Sequence, residues 1–168
     1  MQFFRSINSV EAMTFDLDDT LYNNEPIIRR AEQALQAHIA EHHHQAAKLT
    51  SLDWLQLKRA AIAKDARLAS DMGQLRRVVL SAALSGTPAN QLSIVPTEDT
   101  ALRAAVDSCF NCFYDARSDF ALASNVHQTL DKLSQHLPLV GITNGNVNAQ
   151  KVGLDRYFTA ILHASVER

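Results

Sequence analysis

The chain has 168 residues, enough for one domain with a modest insertion, and its hydrophobic share of 46% and charged share of 20% are typical of a helix-rich globular protein. A formal net charge of −2 provides no electrostatic basis for binding nucleic acid or an anionic membrane. No apolar stretch approaches the roughly 20 residues that span a bilayer. The N-terminus lacks a secretory signal and two cysteines imply no disulfide framework, so we expect a cytoplasmic protein.

The predicted elements begin with a short strand at residues 10–17, VEAMTFDL, whose mixed apolar content is typical of a sheet covered on both faces. After it, apolar residues at helical spacing predict an almost entirely helical segment from Pro26 to about Asp119. Four helices are expected in this segment: one from Pro26, one with Asp53 as its N-cap, one over 73–86 that stops at Gly86, and one over about 98–117.

The pattern then changes back to strands and helices in alternation. Ser124 is the expected N-cap of an amphipathic helix, and the apolar run PLVGITNG at 138–145 predicts a second strand. A short helix that closes near Gly153 and a third strand at 159–164 follow. Strand, helix, strand, helix, strand predicts an α/β fold with a parallel sheet, and the helical segment is an insertion after its first strand.

Two predicted strands end in polar clusters, and this feature carries the functional interpretation. Asp16 and Asp18 lie at the end of the first strand, and Thr143 and Asn144 lie at the end of the second. Because ligands bind beyond the carboxyl ends of parallel strands, we expect both clusters at one site. Paired carboxylates suit Mg²⁺, a carboxylate can attack phosphorus, and a hydroxyl can hold phosphoryl oxygens.

Other roles for these aspartates stay open at this point. An EF-hand calcium loop counted from Asp16 needs Gly at its sixth position and Glu at its twelfth, where the chain has Leu21 and Ile27. An Asx-type turn with solvated carboxylates remains the structural alternative. Asp19 is interpreted as a turn residue.

Two further motifs are interpreted as structural. Neighbouring histidines on a helix point in different directions, so His42, His43 and His44 predict a solvated helix end rather than a metal site. Cys109 and Cys112 are spaced i, i+3 in an aromatic helix, which favours packed thiols over a zinc or redox site, since no second pair completes one.

Three segments resemble the haloacid dehalogenase-like (HAD) hydrolases. FDLDDTLY at 15–22 is similar to their first motif, ITNGN at 142–146 to their second, and KVGLDRYF at 151–158 to the segment that commonly follows. The resemblance implies a Rossmann-like core formed by residues 1–21 and 122–168. It also implies an inserted all-helical type-1 cap at 22–121.

The resemblance further implies a Mg²⁺-dependent phosphatase and a role for each site residue. Asp16 corresponds to the nucleophile that forms an aspartyl-phosphate, and Asp18 to the acid that protonates the leaving group and then activates water. Mg²⁺ would be held by the Asp16 carboxylate and the Asp18 backbone carbonyl, while Thr143 and Asn144 would hold the phosphoryl group. Within the family, the chain is most similar to bacterial phosphatases of small phosphorylated metabolites, including a ribitylaminouracil phosphate of riboflavin synthesis and FMN.

The family pattern also includes a Lys motif after the third strand and a later acidic pair, and the chain ends at LHASVER, where the Lys motif would begin. Lys151 lies in the preceding helix and is interpreted as a surface residue. We therefore expect a C-terminally truncated core with weak turnover, whose uncovered sheet edge favours self-association. The alternative is a catalytically incomplete fragment or interaction module.

Overall fold

The fold is described by a computed structural model that covers residues 9–165. Its sheet has three parallel strands in the order β1 (Met13–Phe15), β2 (Leu139–Thr143) and β3 (Ala160–His163). Phe15 pairs with Gly141, and Gly141 pairs with Ile161, so the carboxyl ends of all three strands point the same way. The predicted parallel α/β sheet is confirmed, although β1 is shorter than the run predicted at 10–17.

Between β1 and β2 the chain is helical. The long helices are α1 (Asn24–His42), α2 (Ser51–Lys64), α3 (Met72–Ser85) and α4 (Thr100–Arg117), with short 3₁₀ turns at Ala46–Lys48, Ala66–Ala69 and Ala89–Gln91. Their apolar faces form one hydrophobic cluster, which includes Leu35, Ile39, Leu57, Leu75, Leu80, Val106 and Phe113. The amphipathic spacing in the sequence predicts these buried faces.

Helix α1 begins at Asn24, two residues before the predicted Pro26, and two predicted N-caps occupy other positions. Asp53 is the third residue of the first turn of α2, and Thr50 is the N-cap; the two form a reciprocal capping box. Ser124 is the first residue of α5 (Ser124–Ser134), and Ala123 occupies the N-cap position without a side-chain hydrogen bond. Ser and Asp occur both at the N-cap and in the first turn of a helix, so the residue type alone does not show which residue is the N-cap.

The second half of the sheet region follows the prediction closely. After β2 come α6 (Ala149–Val152) and a 3₁₀ turn at Asp155–Tyr157, which leads into β3. Gly86 and Gly153 adopt left-handed conformations, with φ of 69° and 78°, at the ends of α3 and α6. Both glycine stops were expected from the sequence.

A second hydrophobic cluster lies around the sheet and is separate from that of the long helices. It includes Leu17, Leu21, Leu122, Leu130, Leu139, Leu154 and Phe158. The division into a core (1–21 and 122–168) and a helical cap (22–121) remains a proposal. Within residues 9–165, none of the helices combines the length and apolar character needed to cross a membrane.

Candidate active site

The turn after β1 separates the three aspartates. Asp16 is exposed, and its Oδ1 accepts a hydrogen bond of 2.8 Å from the backbone N–H of Leu17. Asp19 has a left-handed φ of 56°, a conformation that Asp tolerates better than most residues, and its Oδ1 accepts a hydrogen bond from Asn24 N–H at 2.8 Å. Asp19 thus tethers the start of α1, as its interpretation as a turn residue implies.

Asp18 is half-buried and points into a polar cluster. Both of its carboxylate oxygens accept hydrogen bonds from Arg117 Nη2, at 2.8 and 2.7 Å, and Tyr22 donates its hydroxyl to Oδ1 at 2.5 Å. Burial raises the pKa of Tyr22 well above its ordinary value, and the hydrogen bond to Asp18 adds to the effect. The phenol therefore stays protonated as a donor to the carboxylate.

Arg117 is the functional-site candidate that the sequence interpretation missed. It is the last residue of α4 and is only 1% exposed. Besides Asp18 it donates from Nε to Asn146 Oδ1 at 3.1 Å and from Nη1 to Asn24 Oδ1 at 2.6 Å. One buried guanidinium therefore connects the end of α4, the start of α1 and the turns that follow β1 and β2.

The turn after β2 lies directly against Asp18. Thr143 is buried, and its Oγ1 accepts a hydrogen bond of 2.9 Å from Gly145 N–H, while Asn144 is exposed. A Cβ atom added at Gly145 would lie 2.5 Å from Asp18 Oδ2 and 3.0 Å from Arg117 Nη2. The two polar clusters that follow β1 and β2 thus meet, and the contact depends on a residue without a side chain.

Two other residues near the predicted motifs have structural contacts. Lys151 donates from Nζ to the backbone carbonyl of Asp115 at 3.0 Å, which ties α6 to the surface of α4. His163, at the end of β3, has Nδ1 3.2 Å from the carbonyl oxygen of Gly145. The Lys151 contact agrees with its interpretation as a surface residue.

The donor set at the end of β1 fits a hard divalent cation. Asp16 has an exposed carboxylate, whereas the carboxylate of Asp18 is occupied by Arg117 and Tyr22. We propose the Asp16 carboxylate and the Asp18 backbone carbonyl as the oxygens that would hold a metal. Mg²⁺ commonly takes one or two protein oxygens and completes its shell with water and substrate phosphate.

Comparison with known proteins gives related sequences and folds. The chain is 30% identical to 5-amino-6-(5-phospho-D-ribitylamino)uracil phosphatase YigB of Escherichia coli strain K12, over 98% of the chain and 66% of that protein. A crystal structure of 2-haloacid dehalogenase from Pseudomonas syringae pv. Tomato DC3000 is also similar, with 28% sequence identity and a TM-score of 0.82. The match covers 93% of this chain and 64% of the dehalogenase chain. No family model matches the chain.

A further solved structure supports the fold alone. It is the putative HAD-hydrolase YfnB of Bacillus subtilis, bound to magnesium, with 19% sequence identity and a TM-score of 0.51. The match covers 91% of this chain and 64% of the YfnB chain. The chain thus spans about two thirds of the length of the proteins it matches. The sequence motifs, the parallel sheet and these similarities together show that the chain belongs to the haloacid dehalogenase-like superfamily.

Proposed function

We propose that this protein is a Mg²⁺-dependent phosphatase of small phosphorylated metabolites that forms an aspartyl-phosphate on Asp16. The observation that carries the proposal is the meeting of two strand ends: Asp18 lies against Gly145 in the turn after β2, and Asp16 is exposed two residues earlier. The phosphatase activity named for the Escherichia coli relative supports the reaction class.

In the first step a carboxylate oxygen of Asp16 attacks phosphorus, and the bond from phosphorus to the substrate oxygen breaks. The leaving alkoxide takes a proton from the Asp18 carboxyl, which becomes a carboxylate. In the second step Asp18 accepts a proton from water as the water oxygen attacks phosphorus. The bond from phosphorus to the Asp16 oxygen breaks, inorganic phosphate leaves, and both aspartates return to their starting forms.

Side chains and backbone around Asp16 would stabilise the charge on the phosphoryl group. The oxygen of Thr143 accepts a hydrogen bond from Gly145, so its own O–H remains free to donate to a phosphoryl oxygen. The backbone N–H of Asn144 is a second proposed donor. Mg²⁺, held by the Asp16 carboxylate and the Asp18 carbonyl, would supply electrostatic neutralisation of the phosphoryl oxygens.

Arg117 is proposed as a positioning residue for Asp18. Its guanidinium donates to both oxygens of that carboxylate and so fixes its orientation for the second step. Because Arg117 also binds Asn24 at the start of α1, the orientation of Asp18 depends on where the helical segment lies. The same contact would have to loosen for Asp18 to carry the proton of the first step.

The proposal is tested with an aryl phosphate, measured with and without Mg²⁺. We expect hydrolysis that requires Mg²⁺ and is abolished in Asp16→Asn, while Asp19→Asn retains activity because Asn keeps the oxygen that accepts from Asn24. Undiminished hydrolysis in Asp16→Asn would overturn the assignment of the nucleophile. Absent turnover by the wild-type chain would instead support the alternative, a catalytically incomplete fragment.

The substrate is proposed from the relative's name and is tested with a panel. The panel contains the ribitylaminouracil phosphate, FMN and, because one similar structure is titled a dehalogenase, chloroacetate. A halide is a weak base and leaves without a proton, whereas an alkoxide needs one. We therefore expect Asp18→Asn to slow the hydrolysis of alkyl phosphates such as FMN. If the wild type hydrolyses chloroacetate but none of the phosphates, the phosphatase proposal is overturned.

A second candidate function is association with another copy of the chain through the sheet. Ile142 on β2 and Leu162 on β3 are cross-strand neighbours, and they are 50% and 44% exposed. Together they form an apolar patch on one face of β2 and β3, and β3 is an edge strand of the sheet within residues 9–165. Identical edges related by a two-fold axis can pair, so we propose a second copy as the partner.

A further inference from the structure

A cluster of metal-ligating side chains lies in the helical segment, apart from the candidate active site. One ligand atom each from His38, His43 and Cys109 lies within 4.8 Å of the others. His38 belongs to α1, His43 follows its last residue, and Cys109 belongs to α4. The histidine run and the cysteine pair each looked structural in the sequence, but the packing of α1 against α4 combines members of both.

We propose that His38, His43 and Cys109 form a binding site for a divalent transition metal of the Zn²⁺ class, with three protein ligands and a fourth position open to solvent. In a tetrahedral zinc site the Zn–N and Zn–S distances place neighbouring donor atoms roughly 3.5 Å apart. A cluster already within 4.8 Å needs only small side-chain movements to reach that spacing.

The end of α1 explains why His43 rather than its neighbours joins His38. The backbone leaves the helical conformation at His43, with φ −136° and ψ 65°, while its N–H still donates to Ile39 at 2.8 Å. His43 lies four positions after the buried Ile39, so it continues the buried face of α1, on the side where Cys109 lies. Its neighbours in the histidine run do not share that spacing.

The surroundings of the cluster hold the ligands in place. The Oγ of Ser108 lies 3.0 Å from His38 Nε2, and this hydrogen bond orients the ring toward α4. Cys109 is fully buried, so a metal bound there would be shielded from water on one side. Oriented histidines and a partly dry surrounding are both features that strengthen metal binding.

The donor types select the class of metal. Two imidazoles and one thiol favour Zn²⁺, Co²⁺ or Ni²⁺ over Mg²⁺, which prefers oxygen ligands. An imidazole binds such a metal through the lone pair of one ring nitrogen. The Cys109 thiol would lose its proton to solvent when the metal–sulfur bond forms.

Cys112 provides a matched control three residues away on the same helix. Its Sγ donates to the backbone carbonyl of Ala34 at 3.6 Å, and it is not part of the cluster. Replacing Cys112 therefore removes a nearby thiol and leaves all three proposed ligands. His44, which also lies outside the cluster, is the corresponding control for the histidines.

The test uses Co²⁺ as a spectroscopic probe of the reduced, chelator-treated protein. We expect a thiolate-to-cobalt charge-transfer band, displaced by Zn²⁺ but not by excess Mg²⁺. Cys109→Ala should abolish the band, and His38→Gln or His43→Gln should weaken binding by more than about 100-fold, beyond what loss of an outer-shell partner costs. Cys112→Ser, His44→Gln and Asp16→Asn should retain it.

Thermal unfolding gives an independent readout, because a metal that binds only the folded protein raises its melting temperature. Zn²⁺ should raise the melting temperature of the wild type and of Cys112→Ser by at least about 3 °C, and leave that of Cys109→Ala unchanged. If Cys109→Ala does not fold, circular dichroism will show it, and the two histidine variants then decide. A band lost in Cys112→Ser or Asp16→Asn, or kept in Cys109→Ala, would overturn the proposal.

Discussion

Arg117 Nη2 donates to both carboxylate oxygens of Asp18, and this pair joins residues 99 positions apart in the chain. The side chains of Arg117 and Asp18 are 2% and 16% exposed, so water screens the pair only weakly. The contact links the last residue of α4 to the turn that carries the proposed nucleophile. It is therefore a point where the helical segment and the sheet stabilise each other.

Replacing Arg117 with Met should destabilise the protein strongly. The variant leaves Asp18 without its counter-ion and removes the hydrogen bonds to Asn24 and Asn146, so we expect a loss of about 3 kcal/mol in the free energy of unfolding, measured by urea denaturation. Adding Asp18→Asn to Arg117→Met should recover part of that loss, because the buried charge is then removed.

The matched control is Arg29→Met. Arg29 pairs with Glu25 on the same helix, but both side chains are mostly exposed, at 68% and 76%, so the expected change is below about 0.5 kcal/mol. Equal effects of Arg117→Met and Arg29→Met would show that the buried pair contributes no more than a surface pair.

Tyr22→Phe should change how stability depends on pH. The pKa of Tyr22 is raised in the folded protein, above the ordinary value of 10.0, so above about pH 10 the unfolded chain loses a proton that the folded chain keeps. The stabilisation is fully present below that pH and is lost as the pH rises toward the folded pKa. Above about pH 10, the free energy of unfolding of the wild type should therefore fall more steeply than that of Tyr22→Phe, by up to about 1.4 kcal/mol per pH unit.

The measurement is urea denaturation of both proteins from about pH 8 to about pH 11. At pH 8 the wild type should be more stable by about 1 to 2 kcal/mol, since the variant loses the hydrogen bond to Asp18 but keeps the ring contact with Phe120. Parallel curves over the whole range would contradict a raised pKa for this phenol.

The exposed sheet patch predicts self-association that depends on concentration. Leu162→Lys adds a charge beside Ile142 and should shift sedimentation velocity profiles toward the monomer, because burying an unpaired ammonium is unfavourable. Leu52→Lys is the control, since Leu52 is 60% exposed on α2, away from the sheet. A wild-type chain that is monomeric at all concentrations would refute association through this patch.

Much of the fold follows from local signals in the sequence. Apolar periodicity predicts α1 to α4, and the glycine stops at Gly86 and Gly153 are local features of the chain. The order of strands and helices implies that the ends of β1 and β2 are neighbours. The contact between Asp18 and Gly145 lies beyond these neighbouring strand ends.

Arg117 and the histidine–cysteine cluster could not be predicted in the same way. Arg117 ends an amphipathic helix, where a charged residue is usually solvated, and nothing in its neighbours signals burial. His43 and Cys109 meet because α1 packs on α4 with the face that His43 continues beyond Ile39. Both contacts depend on how distant helices pack, which helical periodicity does not encode.

Gly145→Ala tests whether the close approach of the two turns holds the candidate site together. The added methyl would lie 2.5 Å from Asp18 Oδ2, and Arg117 and Tyr22 restrain that carboxylate, so either the turn or the ion pair must shift. We expect a loss of about 1 to 3 kcal/mol in the free energy of unfolding, typical of an overpacked site. Because Asp18 would be displaced, phosphatase activity should fall by more than the remaining folded fraction explains.

Gly73→Ala is the matched control, because the nearest atom to its added methyl is Asp71 Oδ1 at an ordinary contact distance of 3.5 Å. Gly73 lies within α3, where Ala is favoured over Gly by up to about 1 kcal/mol, so this variant should be as stable as the wild type or more so. The double variant Arg117→Met, Gly145→Ala should lose less free energy of unfolding than the sum of the losses of the two single variants, because both changes disturb the Asp18 carboxylate. Strict additivity would show that Gly145 acts on the β2 turn alone and that its contact with Asp18 carries no energy.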